Sequence, residues 1–70
     1  MKKLESPVSG RVASIVAKAG EAVSAGSIVA TIESMKMETP VESEEAGVVA
    51  RVVVTVGQEI EEGDTLFELE

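Results

Sequence analysis

Displacing this 70-residue chain by 37 positions lays one half over the other. Gly10, Gly20 and Gly26 fall on Gly47, Gly57 and Gly63, which uses all six glycines. Val12, Ala13 and Val16 meet Val49, Ala50 and Val53, and Glu33 meets Glu70. Ile15, Val23, Val29 and Ile32 meet Val52, Ile60, Leu66 and Leu69. Apolar positions persist while polar ones drift, as expected when one supersecondary unit is used twice to enclose a shared core. The expected organisation is a single domain over residues 1–70, with half-repeats at about 6–33 and 38–70.

Each half reads as strand, turn, short strand, turn, strand. Arg11 to Ala17 and Val48 to Val56 are rich in β-branched residues and lead to Gly20 and Gly57, where a turn with positive φ is expected. Val23-Ser24-Ala25-Gly26 and Ile60-Glu61-Glu62-Gly63 have the form of a tight turn ending in glycine. Strand pattern resumes over Ile28 to Glu33 and Thr65 to Leu69. Val52-Val53-Val54 is an unbroken apolar run, which predicts burial on both faces or a bulge. No long segment sustains a 3.6-residue apolar period, so helix is not expected. Two equivalent halves predict two small sheets related by a pseudo-two-fold axis, wrapped into a flattened barrel or sandwich that hides most strand edges.

Composition narrows the function classes. Twelve valines, four isoleucines and the single aromatic Phe67 must supply the core, since no cysteine can form a disulfide. With neither cysteine nor histidine, a zinc site of the usual kind is excluded. Thirteen acids against six bases give a net charge of −7. That balance repels a phosphate backbone and argues against nucleic-acid binding. It suits solubility, or steering towards basic surfaces on partner enzymes. Met1-Lys2-Lys3 looks like the start of a signal peptide, but Leu4-Glu5-Ser6-Pro7 brings no apolar run behind it. No stretch reaches the roughly 20 apolar residues of a membrane span, so the expected location is the cytoplasm and no membrane partner is expected.

Between the halves, Ser34-Met35-Lys36-Met37 is expected to form a hairpin connection with Lys36 at or near its tip. Pro40 cannot donate a ladder hydrogen bond, so the outgoing strand is expected to be an edge or to begin beyond it. A lysine on a turn is ordinarily a solvated charge. The flanking methionines change that reading. Either Met35 and Met37 tuck against the barrel end as flexible gap-fillers, or they stand exposed because an enzyme reads them.

Glu33-Ser34-Met35-Lys36-Met37-Glu38, centred in the glycine repeat, resembles the Glu-Ala-Met-Lys-Met attachment motif of the biotinyl domain family, the biotin carboxyl carrier domains. The resemblance runs from Ser6-Pro7-Val8-Ser9-Gly10 to Leu69. It implies a barrel-sandwich hybrid: an all-β, flattened barrel of two four-stranded antiparallel sheets, with the lysine on a protruding hairpin and both termini at the far end. It implies biotin in amide linkage on Lys36, attached by biotin protein ligase, with Met35 and Met37 as the residues that ligase reads and Glu33, Ser34 and Glu38 completing the recognised segment. Ser34 stands where the family usually has alanine, a small and turn-compatible departure. From Pro7 to Gly20 there is no room for the inserted thumb of many acetyl-CoA carboxylase carriers, which points to the thumbless type.

What the resemblance implies about chemistry is a carrier, not an enzyme. A free lysine has a pKa of about 10.4 and needs its acyl donor activated by the ligase. Biotin would then take a carboxyl group from a biotin carboxylase and deliver it to a carboxyltransferase. Tethering holds the cofactor at roughly millimolar effective concentration near each site. The isolated domain is expected to be a monomer. Met1 at the start, with no Ala/Pro-rich linker ahead of Ser6, is expected of a free-standing carrier. The alternatives are a lipoyl carrier, whose usual flanks are Asp-Lys-Ala, or an unmodified adaptor of the same fold. For an enzyme the candidates are scattered carboxylates, Glu42, Glu44 and Glu45 or Glu59, Glu61 and Glu62, which read as solvated rim charges.

Overall fold

The computed structural model describes residues 2–70; Met1 and the readings that rest on it lie outside them. Eight strands follow in order: β1 Lys2–Glu5, β2 Gly10–Ile15, β3 Ala22–Val23, β4 Ile28–Ser34, β5 Met37–Glu42, β6 Gly47–Val52, β7 Glu59–Ile60 and β8 Thr65–Leu69. They form two four-stranded sheets, ordered β1-β8-β6-β3 and β5-β4-β2-β7, with every pairing antiparallel. Among the described residues no ladder joins the two sheets, so of barrel and sandwich it is the sandwich that applies.

Adding four to each strand number converts one sheet into the other. The register obeys the same rule: Lys2↔Leu69, Lys3↔Glu68 and Leu4↔Phe67 repeat as Thr39↔Ile32, Pro40↔Thr31 and Val41↔Ala30. Both sheets therefore draw two strands from each half of the chain. Pro40 lies in β5, an edge strand, as its missing donor requires.

Four turns carry the repeat. Gly20, Gly26, Gly57 and Gly63 have φ between 87 and 92°. Each is third in a turn closed by a backbone bond of 3.0–3.1 Å, such as Glu21 N–H to Lys18 O or Ser27 N–H to Ser24 O. The glycine is thus third and not last as the sequence suggests, because that is where a type II turn demands positive φ. All six glycines are expected in turns; Gly10 and Gly47 instead open β2 and β6.

Strands β2 and β6 are shorter than their β-branched runs. Beyond Ile15, the N–H groups of Val16 and Ala17 both reach the one carbonyl of Val29, at 2.8 and 3.2 Å, which ends a regular ladder. The Val52-Val53-Val54 run is neither buried throughout nor bulged. It leaves the strand after half-buried Val52, exposes Val53 and buries Val54. The bulges lie elsewhere, at Ala13 and its mate Ala50, and at Val29 and its mate Leu66. An extra residue there rotates the strand, so that Val29 and Ala30, and likewise Leu66 and Phe67, all face the core without exposure.

Two buried serines close the loops. Ser6 and Ser43, again 37 apart, donate from Oγ to Val8 O at 2.6 Å and to Glu45 O at 2.5 Å. Their own carbonyls accept from Gly63 and Gly26. No buried side-chain polar atom among the described residues lacks a partner.

Symmetry-mated Gly10 and Gly47 make different demands. A Cβ on Gly10 would run into the Glu33 carbonyl oxygen and approach Ile32 Cγ2 to 2.9 Å; one on Gly47 would lie 3.3 Å from Glu70 O. Gly10→Ala is expected to lower unfolding free energy by about 2–3 kcal/mol, typical of overpacking. Gly47→Ala is expected to cost less than about 1 kcal/mol, since a shift of a few tenths of an ångström relieves it. Urea unfolding of the two variants measures the difference; equal midpoints would contradict it.

Candidate functional site

β4 and β5 form the longest hairpin of the molecule, and its last pair is Ser34↔Met37. Only Met35 and Lys36 remain to make the connection. Both have positive φ, 53° and 65°, as a two-residue type I′ turn requires. Such turns favour Asn-Gly, because a side chain in the left-handed region crowds its own carbonyl at about 1–2 kcal/mol per residue. Lys36 therefore sits at the tip as expected, in a backbone conformation the sequence did not announce.

The methionines do not tuck in. Met35 is 91% and Met37 69% exposed. The described ion pairs are Lys2–Glu45 at 2.8 Å and Arg51–Glu68 at 3.2 Å, so Lys36 has no carboxylate within that range. The apex thus presents a free primary amine between two uncovered thioethers.

Beneath the tip a row of charge crosses the second sheet. Glu38 lies opposite Glu33, Glu33 opposite Arg11, and Arg11 opposite Glu59, so one exposed residue from each strand β5, β4, β2 and β7 lines up. Directly opposed residues share a face, and like charges there repel. Arg11 offsets part of that repulsion between two carboxylates, although neither comes within ion-pair distance. The repeat breaks here: the mates of Arg11 and Glu59 are Val48 and Ala22, so the charged row belongs to the lysine end alone. A groove joins Lys36 and Met35 to Arg11, Glu59 and Glu61.

β8 begins four residues after Glu61 and runs away from the groove to Leu69, where it pairs with Lys2. Lys2 and Leu69 therefore lie away from the lysine tip of a molecule measuring 31 × 19 × 17 Å. Of the remaining candidates, Glu33 and Glu38 join the row, and Ser34 is the half-buried base of the turn. Glu42, Glu44, Glu45 and Glu62 are exposed rim charges. Among the described residues no cluster of three metal-ligating side chains exists. Arg11 and Glu59 were not singled out as partners of the motif, because their alignment depends on pairing between distant segments. The Glu33–Glu38 opposition was readable, since a two-residue connection fixes that register.

The family model described as "Biotin-requiring enzyme" matches residues 2–69. The biotin/lipoyl attachment protein of Bacillus subtilis is 39% identical over 62 residues, covering 89% of this chain and 85% of that protein. The human mitochondrial propionyl-CoA carboxylase alpha chain is 39% identical over 67 residues, 96% of this chain but 9% of that one. In the crystal structure of Kluyveromyces lactis urea carboxylase, a segment superposes with a TM-score of 0.91 at 33% identity, covering 99% of this chain and 6% of that one. The chain thus spans most of a small relative and a small part of two large ones.

The strained turn makes a prediction. Met35 is too exposed to contribute packing, so Met35→Asn and Lys36→Gly should each raise unfolding free energy by about 0.5–1 kcal/mol, by removing left-handed strain. Thermal and urea unfolding check this; unchanged or lowered midpoints would mean that the turn stores no strain.

Proposed function

Because the chain belongs to the biotin/lipoyl attachment family, we propose that it is a biotin carboxyl carrier, with Lys36 the residue that holds biotin. The observation that carries this reading is the apex itself: a lysine without an ion-pair partner, on a two-residue turn, between two exposed methionines. The residues fit the group. An amide to Nζ needs an amine that nothing occludes, and the hairpin holds it away from the core. Attachment neutralises one cation and takes the net charge from −7 to −8.

When bound, biotin supplies a ureido nitrogen that accepts a carboxyl group and releases it to an acceptor. This chain's part is to orient and move that group. The sandwich gives a stiff base, the hairpin offers the lysine at one end, and the Lys2↔Leu69 pair lies at the other. In this reading residues 1–70 serve as one attachment domain, which performs no catalysis itself. Biotin protein ligase loads Lys36, reading Met35 and Met37 with Glu33, Ser34 and Glu38 around them. A biotin carboxylase and a carboxyltransferase are visited in turn, in keeping with relatives that are carboxylase chains. The carrier itself is monomeric and works in the cytoplasm. The six turn and strand glycines keep the scaffold and touch no partner.

Incubation with biotin protein ligase, biotin and ATP, followed by intact mass, tests the reading. The wild type is expected to gain one biotinyl group per chain. Lys36→Arg, which keeps the charge, is expected to gain none while unfolding at the same temperature. A wild type that takes no biotin, or takes a lipoyl group from lipoyl ligase in preference, contradicts the carrier assignment; loading of Lys36→Arg contradicts the site.

A further inference from the structure

Cysteine, tryptophan, tyrosine and histidine are absent from this chain. Methionine is therefore its one readily oxidised residue type. Phe67, the lone aromatic, is fully buried. There are three methionines; Met1 lies outside the described residues, and the other two flank Lys36. Their exposures of 91% and 69% leave both thioethers open to solvent. Among the described residues, an oxidant meeting the folded domain thus finds its targets at the apex.

We propose that Met35 and Met37 are an oxidation-sensitive modification site that gates the loading of Lys36, resting on the reading of Met-Lys-Met as the segment the ligase recognises. The co-reactant is a peroxide. It transfers one oxygen atom to the Sδ lone pair: the thioether is oxidised by two electrons to the sulfoxide, the O–O bond breaks, and hydrogen peroxide leaves as water. No proton is taken from or given to the protein. The product side chain carries a strong acceptor where an apolar sulfur stood. A ligase surface that closes over a thioether must then supply a donor or bury that oxygen unpaired. Exposure separates this site from an oxidised core methionine. Met35 and Met37 stand largely in solvent, so the fold is left intact and only recognition changes. Dithiol-dependent methionine sulfoxide reductases reverse the step, which makes it a switch as well as a lesion.

The test treats the folded protein with hydrogen peroxide and removes the excess with catalase before ligase is added. Peptide mapping then separates chains by the position of the sulfoxide. Chains oxidised at Met35 and Met37 are expected to incorporate biotin at least about tenfold more slowly, the effect of one unsatisfied buried acceptor. Their thermal unfolding should be unchanged, and sulfoxide reductase should restore the original rate without any substitution. Chains oxidised at Met1 alone should load like untreated protein. Equal loading of the apex-oxidised and untreated chains overturns the proposal, as does a loss that follows Met1 oxidation or that reductase does not repair. An untreated wild type that takes no biotin sinks the carrier reading and this proposal with it, a result distinct from equal loading.

Discussion

The backbone bonds that cross between the two halves hold this domain together. Gly20 N–H donates to Val49 O and Gly57 N–H to Val12 O, both within 2.7–2.8 Å. Gly26 N–H donates to Ser43 O and Gly63 N–H to Ser6 O, at 2.7 and 2.9 Å. Each half places its turns on the other half's strands. A half-chain alone would leave those groups unpaired and its apolar face uncovered, so the halves form one cooperative unit. Serine at 6 and 43 follows from the same constraint: a buried hydroxyl there satisfies the loop carbonyl that the turn leaves behind.

Within that frame the lysine end departs from the repeat, and the departures coincide. The β4–β5 hairpin ends in the pairs Glu33↔Glu38 and Ser34↔Met37. It closes with two non-glycine residues in the left-handed region, and a charged row lies under it where the other end has Val48 and Ala22. Locally unfavourable choices gathered at one point are what a functional constraint leaves in an otherwise consistent sequence. Asn-Gly would make a better turn and a worse site.

Much of this was legible from the residues. The glycine spacing gave the symmetry, Pro40 the edge strand, and the Ser34–Met37 segment the hairpin. Other features depend on non-local geometry. The bulges at Val29 and Leu66 let two adjacent apolar residues, Val29 with Ala30 and Leu66 with Phe67, both turn inward, and nothing in the alternation of Ile28-Val29-Ala30 marks the extra residue. Arg11 meets Glu33 and Glu59 only because β2 pairs with β4 on one side and β7 on the other. Ser6 and Ser43 share the spacing of 37, a usable signal of their matched roles. The positive φ values at Met35 and Lys36 follow from connecting strands in two residues, not from the residue types.

In the proposed function, chemistry performed elsewhere is carried on one exposed side chain of an acidic sandwich. Four lysines are present, Lys2, Lys3, Lys18 and Lys36, and the turn at the junction of the halves singles out one. Peptide mapping by tandem mass spectrometry of ligase-treated wild type reads this directly. The prediction is that all incorporated biotin lies on Lys36; biotin on Lys2, Lys3 or Lys18 would contradict it.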